Sequence, residues 1–254
     1  MINLTGRVAL VTGSSRGIGR ACAERLAEAG ADVVINYISS KAAALNVASR
    51  VQALGRRVAV VKADISEADD VASMVDFIEQ TFGHLDIVVS NAASGGFRPL
   101  LDAAPQHFHA AMNTNTLALV HLLQASMPLL ERSRGRAKVV AISSHGSHMA
   151  LPMYGLVGSS KAALESLARH LTLEVGHRNV NVNVVKAGLV ETDSTRLLPG
   201  AEQMFAQRTQ KTMVGPRSLE PRDVADVVLF LASPLSDLVQ GETITVDGGA
   251  AIHV

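Results

Sequence analysis

Short apolar runs alternate with longer amphipathic stretches along most of the chain. The runs at 7–12 (RVALVT), 32–36 (DVVIN), 57–63 (RVAVVKA), 85–90 (LDIVVS), 138–143 (KVVAIS), 180–187 (VNVNVVKA) and 243–247 (TITVD) are rich in β-branched residues and have strand length. Between most of them apolar positions recur at helical spacing, over 17–29, 41–54, 67–82, 106–132, 153–176 and 221–232. Strand then helix, repeated, implies βαβ units. The strands are apolar on both faces, as in a parallel sheet covered by helices on each side. The pattern therefore predicts an α/β fold: a single Rossmann-type domain over 1–254 with a doubly wound parallel β-sheet. No linker, repeat or low-complexity tract divides it.

Residues 193–218 interrupt the alternation. Pro199, Gly200, Gly215 and Pro216 surround a polar helical piece there. This segment is a candidate substrate-covering flap, with Leu197, Leu198, Met204, Phe205 and Met213 available to meet an apolar ligand. An ordinary surface excursion is the plainer alternative.

Length and charge narrow the picture further. A chain of 254 residues suits one α/β domain. Lysine plus arginine and aspartate plus glutamate balance at 23 each, which leaves no electrostatic footprint for nucleic acid or an acidic membrane. Charge, glycine or proline breaks the longest apolar runs, so no membrane span is expected. The single cysteine, Cys22, excludes an intrachain disulfide and reads as a small core residue. With no secretory or transit pattern at the start, a cytoplasmic protein is expected.

The first candidate chemistry lies at 12–20, TGSSRGIGR, where the first strand meets the first helix. Gly13, Gly17 and Gly19 are spaced G-x-x-x-G-x-G. Such a loop turns sharply, lets backbone approach a pyrophosphate, and presents the free N–H groups of the following helix to it. The flanking Ser14, Ser15, Arg16 and Ile18 belong to the same candidate cofactor contact. Readers of an unphosphorylated dinucleotide usually carry an acid after the second strand, for the ribose hydroxyls. Here 35–41 reads INYISSK and has none. Arg16 with Ser39, Ser40 and Lys41 instead suits a 2′-phosphate, so the predicted cofactor is NADPH. Lys41 read alone is equally well a solvated helix-start lysine.

A second candidate lies at 152–161, PMYGLVGSSK. Lys161 has valine, Val157, four residues before it, and its nearest phenol is Tyr154, seven before. The only other tyrosine is Tyr37. The histidine pairs at 107–109 (HFH) and 145–148 (HGSH) lack a nearby third ligand in sequence, and no metal is predicted.

These motifs together resemble the short-chain dehydrogenase/reductase family over essentially the whole chain. TGSSRGIG resembles its cofactor loop. Asp64, in the Ala-Asp pair at 63–64, matches the family's adenine-contacting acid, with Ile65 beside it. Asn91 and Ala92 in SNAAS (90–94) fit the turn after the fourth strand, while Ser90 and Ala93 depart from it. Asn115 in MNTNT (112–116) matches a catalytic asparagine, and Ser144 in ISS (142–144) a catalytic serine. KAGLVET (186–192) resembles the Pro-Gly-x-x-x-Thr turn, with Ala187 in place of proline. It implies cofactor contacts from Gly188, Val190 and Thr192. Tyr37 falls at the adenine end. VDGG (246–249) resembles a C-terminal oligomer contact, and a homotetramer is implied.

Most of that family uses Tyr-x3-Lys. The Tyr154-x6-Lys161 spacing resembles its enoyl-acyl-carrier-protein reductases, and NAASGGFRPL (91–100) resembles the type III members most closely. The resemblance implies NADPH-dependent reduction of the carbon–carbon double bond of an enoyl thioester, carried on acyl carrier protein or coenzyme A. A place in fatty acid or other lipid metabolism would follow. It gives Tyr154, Lys161, Ser144 and Asn115 catalytic roles. Lys161 would hold ribose hydroxyls and lower the phenol's pKa. Ser144 would share the substrate oxygen with Tyr154.

The spacing has a geometric rationale. In ketone reduction hydride and proton go to neighbouring atoms of one carbonyl. In enoyl reduction hydride goes to the β-carbon and charge appears on the more distant thioester oxygen. Moving the phenol three residues upstream displaces it by about 4.5 Å along a helix, on nearly the same face. Two rivals stay open: a 3-oxoacyl or other carbonyl reductase, since Ser144 is present, and a silent NADPH-binding protein that lost the usual tyrosine. His145 and His148 are further candidate acids beside Ser144; Asn115 could bend its helix and hold a water in a proton path from Lys161, and is equally well a helix-packing amide.

Overall fold

The computed structural model describes residues 2–198 and 200–252. Pro199 of the candidate flap lies outside the described residues, as does the side chain of Leu197. Strands β1 (Val8–Val11), β2 (Asp32–Tyr37), β3 (Val58–Lys62), β4 (Ile87–Ser90), β5 (Ala137–Ser144), β6 (Val180–Ala187) and β7 (Thr243–Val246) form one sheet. Among the described residues it has seven strands in the order β3-β2-β1-β4-β5-β6-β7, every neighbouring pair parallel.

Alternation along each strand sends side chains to two cores. Val8 and Leu10 face the layer of α3 (Ala68–Phe82), α5 (Ala118–Leu130) and α6 (Gly155–Val175). Ala9 and Val11 face the layer of α1 (Gly17–Glu28), α2 (Lys41–Ala53) and α8 (Pro221–Leu231). Each fully buried Leu, Ile or Val contributes roughly 1.5–3 kcal/mol relative to exposure, so both faces of the sheet are strongly specified.

The predicted helix over 106–132 is in fact three pieces. α4 (Pro105–Met112) and α5 are separated by a π-helical turn, Asn113–Leu117. The Asn115 carboxamide explains the widening. It accepts from the Ser94 N–H at 2.7 Å and donates to the Ser94 carbonyl at 2.8 Å and Ser160 Oγ at 2.9 Å. π-turns inside helices commonly mark functional positions.

The strand order reverses between β1 and β4. The loops after those strands diverge there and open a crevice at the carboxyl edge of the sheet. The segment at 193–218 holds a 3₁₀ turn, Thr195–Leu197, and the helix α7 (Ala201–Lys211), which buries only Ala201 among its described residues. Among the described residues no helix is long and apolar enough to cross a membrane.

Candidate active site

The glycine loop is built by close backbone approach. Gly13 has φ 61° and packs on Ala92, where a Cβ would meet the alanine Cβ at 2.8 Å. At Gly19 a Cβ would meet Asn91 Nδ2 at 2.4 Å and the Gly13 carbonyl at 2.5 Å. Polar side chains lock this arrangement. Thr12 Oγ1 accepts from the N–H groups of Asn91 and Ala92, at 3.0 and 3.1 Å. Asn91 Nδ2 donates to the Thr12 carbonyl at 2.9 Å. The buried Asn36 accepts from the Gly13 N–H at 3.1 Å and donates to the Ala63 carbonyl at 3.0 Å. Ser14 turns inward and donates to the Val11 carbonyl at 2.7 Å, so its hydroxyl shapes the loop.

This loop floors a cleft of about 340 Å³. Gly13, Ser15, Arg16, Gly17, Ile18, Gly19, Tyr37, Ser39, Ser40, Asn91, Ala92, Ser144, Tyr154, Lys161, Gly188, Val190 and Thr192 all line it. Lys41, Asp64 and Ile65 do not. Lys41 is exposed and Ile65 is core. Asp64 accepts from the N–H and hydroxyl of Ser66, at 2.9 and 2.7 Å.

The cleft has the right donors for a phosphorylated dinucleotide. α1 has no acidic residue in its first turn, so its positive end is left for an anion. No carboxylate lines the end formed by Arg16, Tyr37, Ser39 and Ser40; the lining acid, Asp193, belongs to the 193–218 segment.

A second cavity of about 250 Å³ adjoins the first and is mostly apolar, with Met149, Leu151, Pro152, Leu189, Leu198 and Met204 in its wall. Gln207, Arg208 and Lys211 of α7 also face it. Of the apolar residues expected over the ligand, Leu198 and Met204 reach this cavity. Phe205 lines a separate small recess and Met213 is exposed, packed beside Gly249.

Ser144, Tyr154, Gly188 and Thr195 line both cavities. Ser144 ends β5, and Tyr154 is the N-cap residue of α6, before the helix proper. The Tyr154 hydroxyl donates to Ser144 Oγ at 3.2 Å. Several contacts aim the ring. It stacks on Phe97 with centroids 5.9 Å apart and planes 19° from parallel. It also packs against Gly146, where a Cβ would lie 2.4 Å from the ring. Met153, just before it, is held at φ 62° while its carbonyl accepts from the Arg98 N–H at 2.9 Å. That left-handed backbone costs about 1–2 kcal/mol.

Val157, at the position four before Lys161, is buried and touches the backbone of Gly95, where a Cβ would meet its Cγ2 at 2.5 Å. Val157 lines neither cavity.

Lys161 is buried, and its ammonium donates to the Ile142 carbonyl at 2.7 Å. Burial brings its pKa down to about 8, against the weaker opposing pull of Glu165. The Tyr154 phenol moves the other way. Burial raises its pKa above the ordinary value, and the Ser144 bond only partly offsets this. No hydrogen bond joins Lys161 to Tyr154 among the described residues. The expectation that lysine lowers the phenol's pKa is therefore corrected: desolvation dominates and keeps the phenol protonated at neutral pH. Asn115 is committed to Ser94 and Ser160 and braces the chain next to Lys161, outside both cavities.

His145 is 3 % exposed, and its pKa falls to about 4, through burial first and then the Arg208 guanidinium. It is therefore neutral near pH 7 and has no proton to offer as an imidazolium. Thr12 and Asn36 escaped the sequence reading. Their only signal was a polar residue inside, or ending, an apolar strand.

Comparison with known proteins agrees with this geometry. The family model described as Enoyl-(Acyl carrier protein) reductase matches residues 13–251. A hydroxynaphthalene reductase-like protein of Metarhizium majus is 35 % identical over 98 % of this chain and 96 % of its own length. A 1-cyclohexenylcarbonyl-CoA reductase of Streptomyces collinus is 34 % identical over 97 % of this chain and 87 % of its own. The solved short-chain dehydrogenase of Burkholderia cenocepacia, in complex with NADP, superposes with a TM-score of 0.88 at 33 % identity, covering 98 % of this chain and 99 % of its own.

Proposed function

The chain belongs to the short-chain dehydrogenase/reductase family, and from that premise we propose that this oxidoreductase uses NADPH to reduce the carbon–carbon double bond of an enoyl thioester. One observation carries the reading. The phenol at the junction of the two cavities is Tyr154, whereas the position four before Lys161 is a buried valine away from both. The 2′-phosphate fits the carboxylate-free end of the cleft at Arg16, Ser39 and Ser40, and the pyrophosphate fits the glycine loop. Bound NADPH supplies the hydride.

This chain's residues then manage the charge that develops. As the β-carbon is reduced, negative charge gathers on the thioester oxygen. Tyr154 and Ser144 are the two hydroxyl donors that meet it. Because burial keeps the phenol protonated, Tyr154 arrives as a donor and can release its proton once the charge is present. Lys161 lines the cofactor cleft, where its positive charge would meet the ribose hydroxyls. The apolar wall of the second cavity suits an acyl chain. The Streptomyces relative's name specifies a ring alkene conjugated with a thioester carbonyl, which is the same substrate chemistry.

Carbonyl reduction is the second reading. A tyrosine–serine pair 3.2 Å apart would also polarise a ketone, and the Metarhizium relative is named for a hydroxynaphthalene. Parallel assays with crotonyl- and acetoacetyl-thioesters plus NADPH separate the two. A saturated butyryl product with little acetoacetyl turnover supports alkene reduction. The reverse preference overturns it. NADPH binding with turnover of neither supports a silent binding protein.

A further inference from the structure

The helix α7 meets the rest of the protein through an unusual grip on one arginine. Arg208 donates to His145 Nδ1 through one guanidinium nitrogen and to the Ala250 carbonyl, at 3.1 Å, through another. On the far side of the imidazole, Nε2 lies 3.0 Å from Asp247 Oδ2, at contact distance but outside hydrogen-bond alignment. Asp247 is itself fixed, accepting from the N–H groups of Gly249 and Ala251 at 2.8 and 3.0 Å. Both His145 and Asp247 are more than nine-tenths buried.

The placement matters because His145 directly follows Ser144, the partner of the Tyr154 hydroxyl. Arg208 lies on the face of α7 that carries Met204 and Lys211 over the second cavity. The helix buries only Ala201 for itself among the described residues, so packing alone holds it weakly. A polar tie of this kind then decides where it sits.

We propose that Arg208 is a positioning residue for the substrate, and that its grip by the Asp247–His145 pair sets the spacing between α7 and the Tyr154–Ser144 pair. The proposal rests on reading the second cavity as the acyl site. The neutral imidazole suits the role, since an unprotonated Nδ1 can accept from a cation while an imidazolium would repel it. Asp247 stands on the opposite edge of the ring and favours the proton on Nε2. Arg208 touches no reacting atom. Its loss loosens the cavity wall and leaves the donors in place, which separates its effect on KM from any effect on kcat.

A double-mutant cycle with Arg208→Ala and His145→Ala tests this, using crotonyl thioester, NADPH and hydrogen exchange of residues 201–211. Each single variant should raise KM for the thioester about tenfold, as expected for one lost charge-assisted bond, with kcat within a few-fold. The double variant should add little beyond either single one. Arg208→Lys, which cannot span His145 and the Ala250 carbonyl together, should recover part of the loss. Exchange over 201–211 should quicken in both alanine variants, while NADPH affinity stays unchanged. Multiplicative KM effects, or exchange that does not change, overturn the proposal. Should wild type turn over no thioester, the enoyl reading fails while the exchange cycle still decides whether this grip holds α7.

Discussion

The Tyr154 hydroxyl donates to Ser144 Oγ across 3.2 Å, from the cap of α6 to the end of β5. The pair stands where the cofactor cleft and the apolar cavity meet. The phenol is aimed by two distant residues, Phe97 stacked on its ring and Gly146 packed against it, and by the left-handed Met153 just before it.

The contact with Gly146 yields a variant that keeps every reacting group. In Gly146→Ala the new methyl would overlap the Tyr154 ring, at 2.4–2.5 Å from two ring carbons. The ring must shift away, and a displacement of about 1 Å at a catalytic group can cost about 10²-fold in rate. Steady-state kinetics should show kcat falling by that order while NADPH affinity holds. Wild-type kcat in this variant would mean that the ring's placement does not matter.

Lys161 predicts an alkaline limb. With its pKa brought down to about 8 by burial, the ammonium is present at pH 7 and lost as pH rises through 8. The pH profile of kcat/KM should fall above about 8, and Lys161→Ala should remove that limb along with most of the activity. Stability moves in the opposite sense. Between pH 8 and the ordinary lysine value of 10.5 the unfolded chain binds more protons, so this group's contribution to stability grows as pH rises across that window.

Arg16 tests the choice of cofactor. It lines the cleft at the end that has no carboxylate. Arg16→Ala should lower kcat/KM for NADPH by about ten- to a hundredfold, the worth of a hydrogen bond to a charged phosphate, and barely change that for NADH. Equal losses with both cofactors would remove the 2′-phosphate from this arginine.

Much of this was readable along the chain, for local reasons. All seven strands sit on the apolar β-branched runs, because a sheet buried on both faces admits little else. The glycine loop was legible because its spacing answers to a local backbone need. What escaped depends on distant partners. The π-turn at Asn113–Leu117 keeps the apolar periodicity of 106–132 nearly intact, and its cause is an amide bonded to Ser94 and Ser160, 21 and 45 residues away. Arg208 and His145 meet across 63 residues, and the flap reading of 193–218 named only its apolar side chains as functional. The upward shift of the phenol's pKa is not legible in the sequence because it comes from burial, which only the folded chain shows.

The most direct measurement is turnover of a crotonyl thioester by Tyr154→Phe with saturating NADPH. Removal of this one hydroxyl should slow product formation by about 10²–10⁴-fold, the usual worth of a positioned acid, while cofactor affinity is retained. A phenylalanine variant as fast as the parent would contradict the account at its centre.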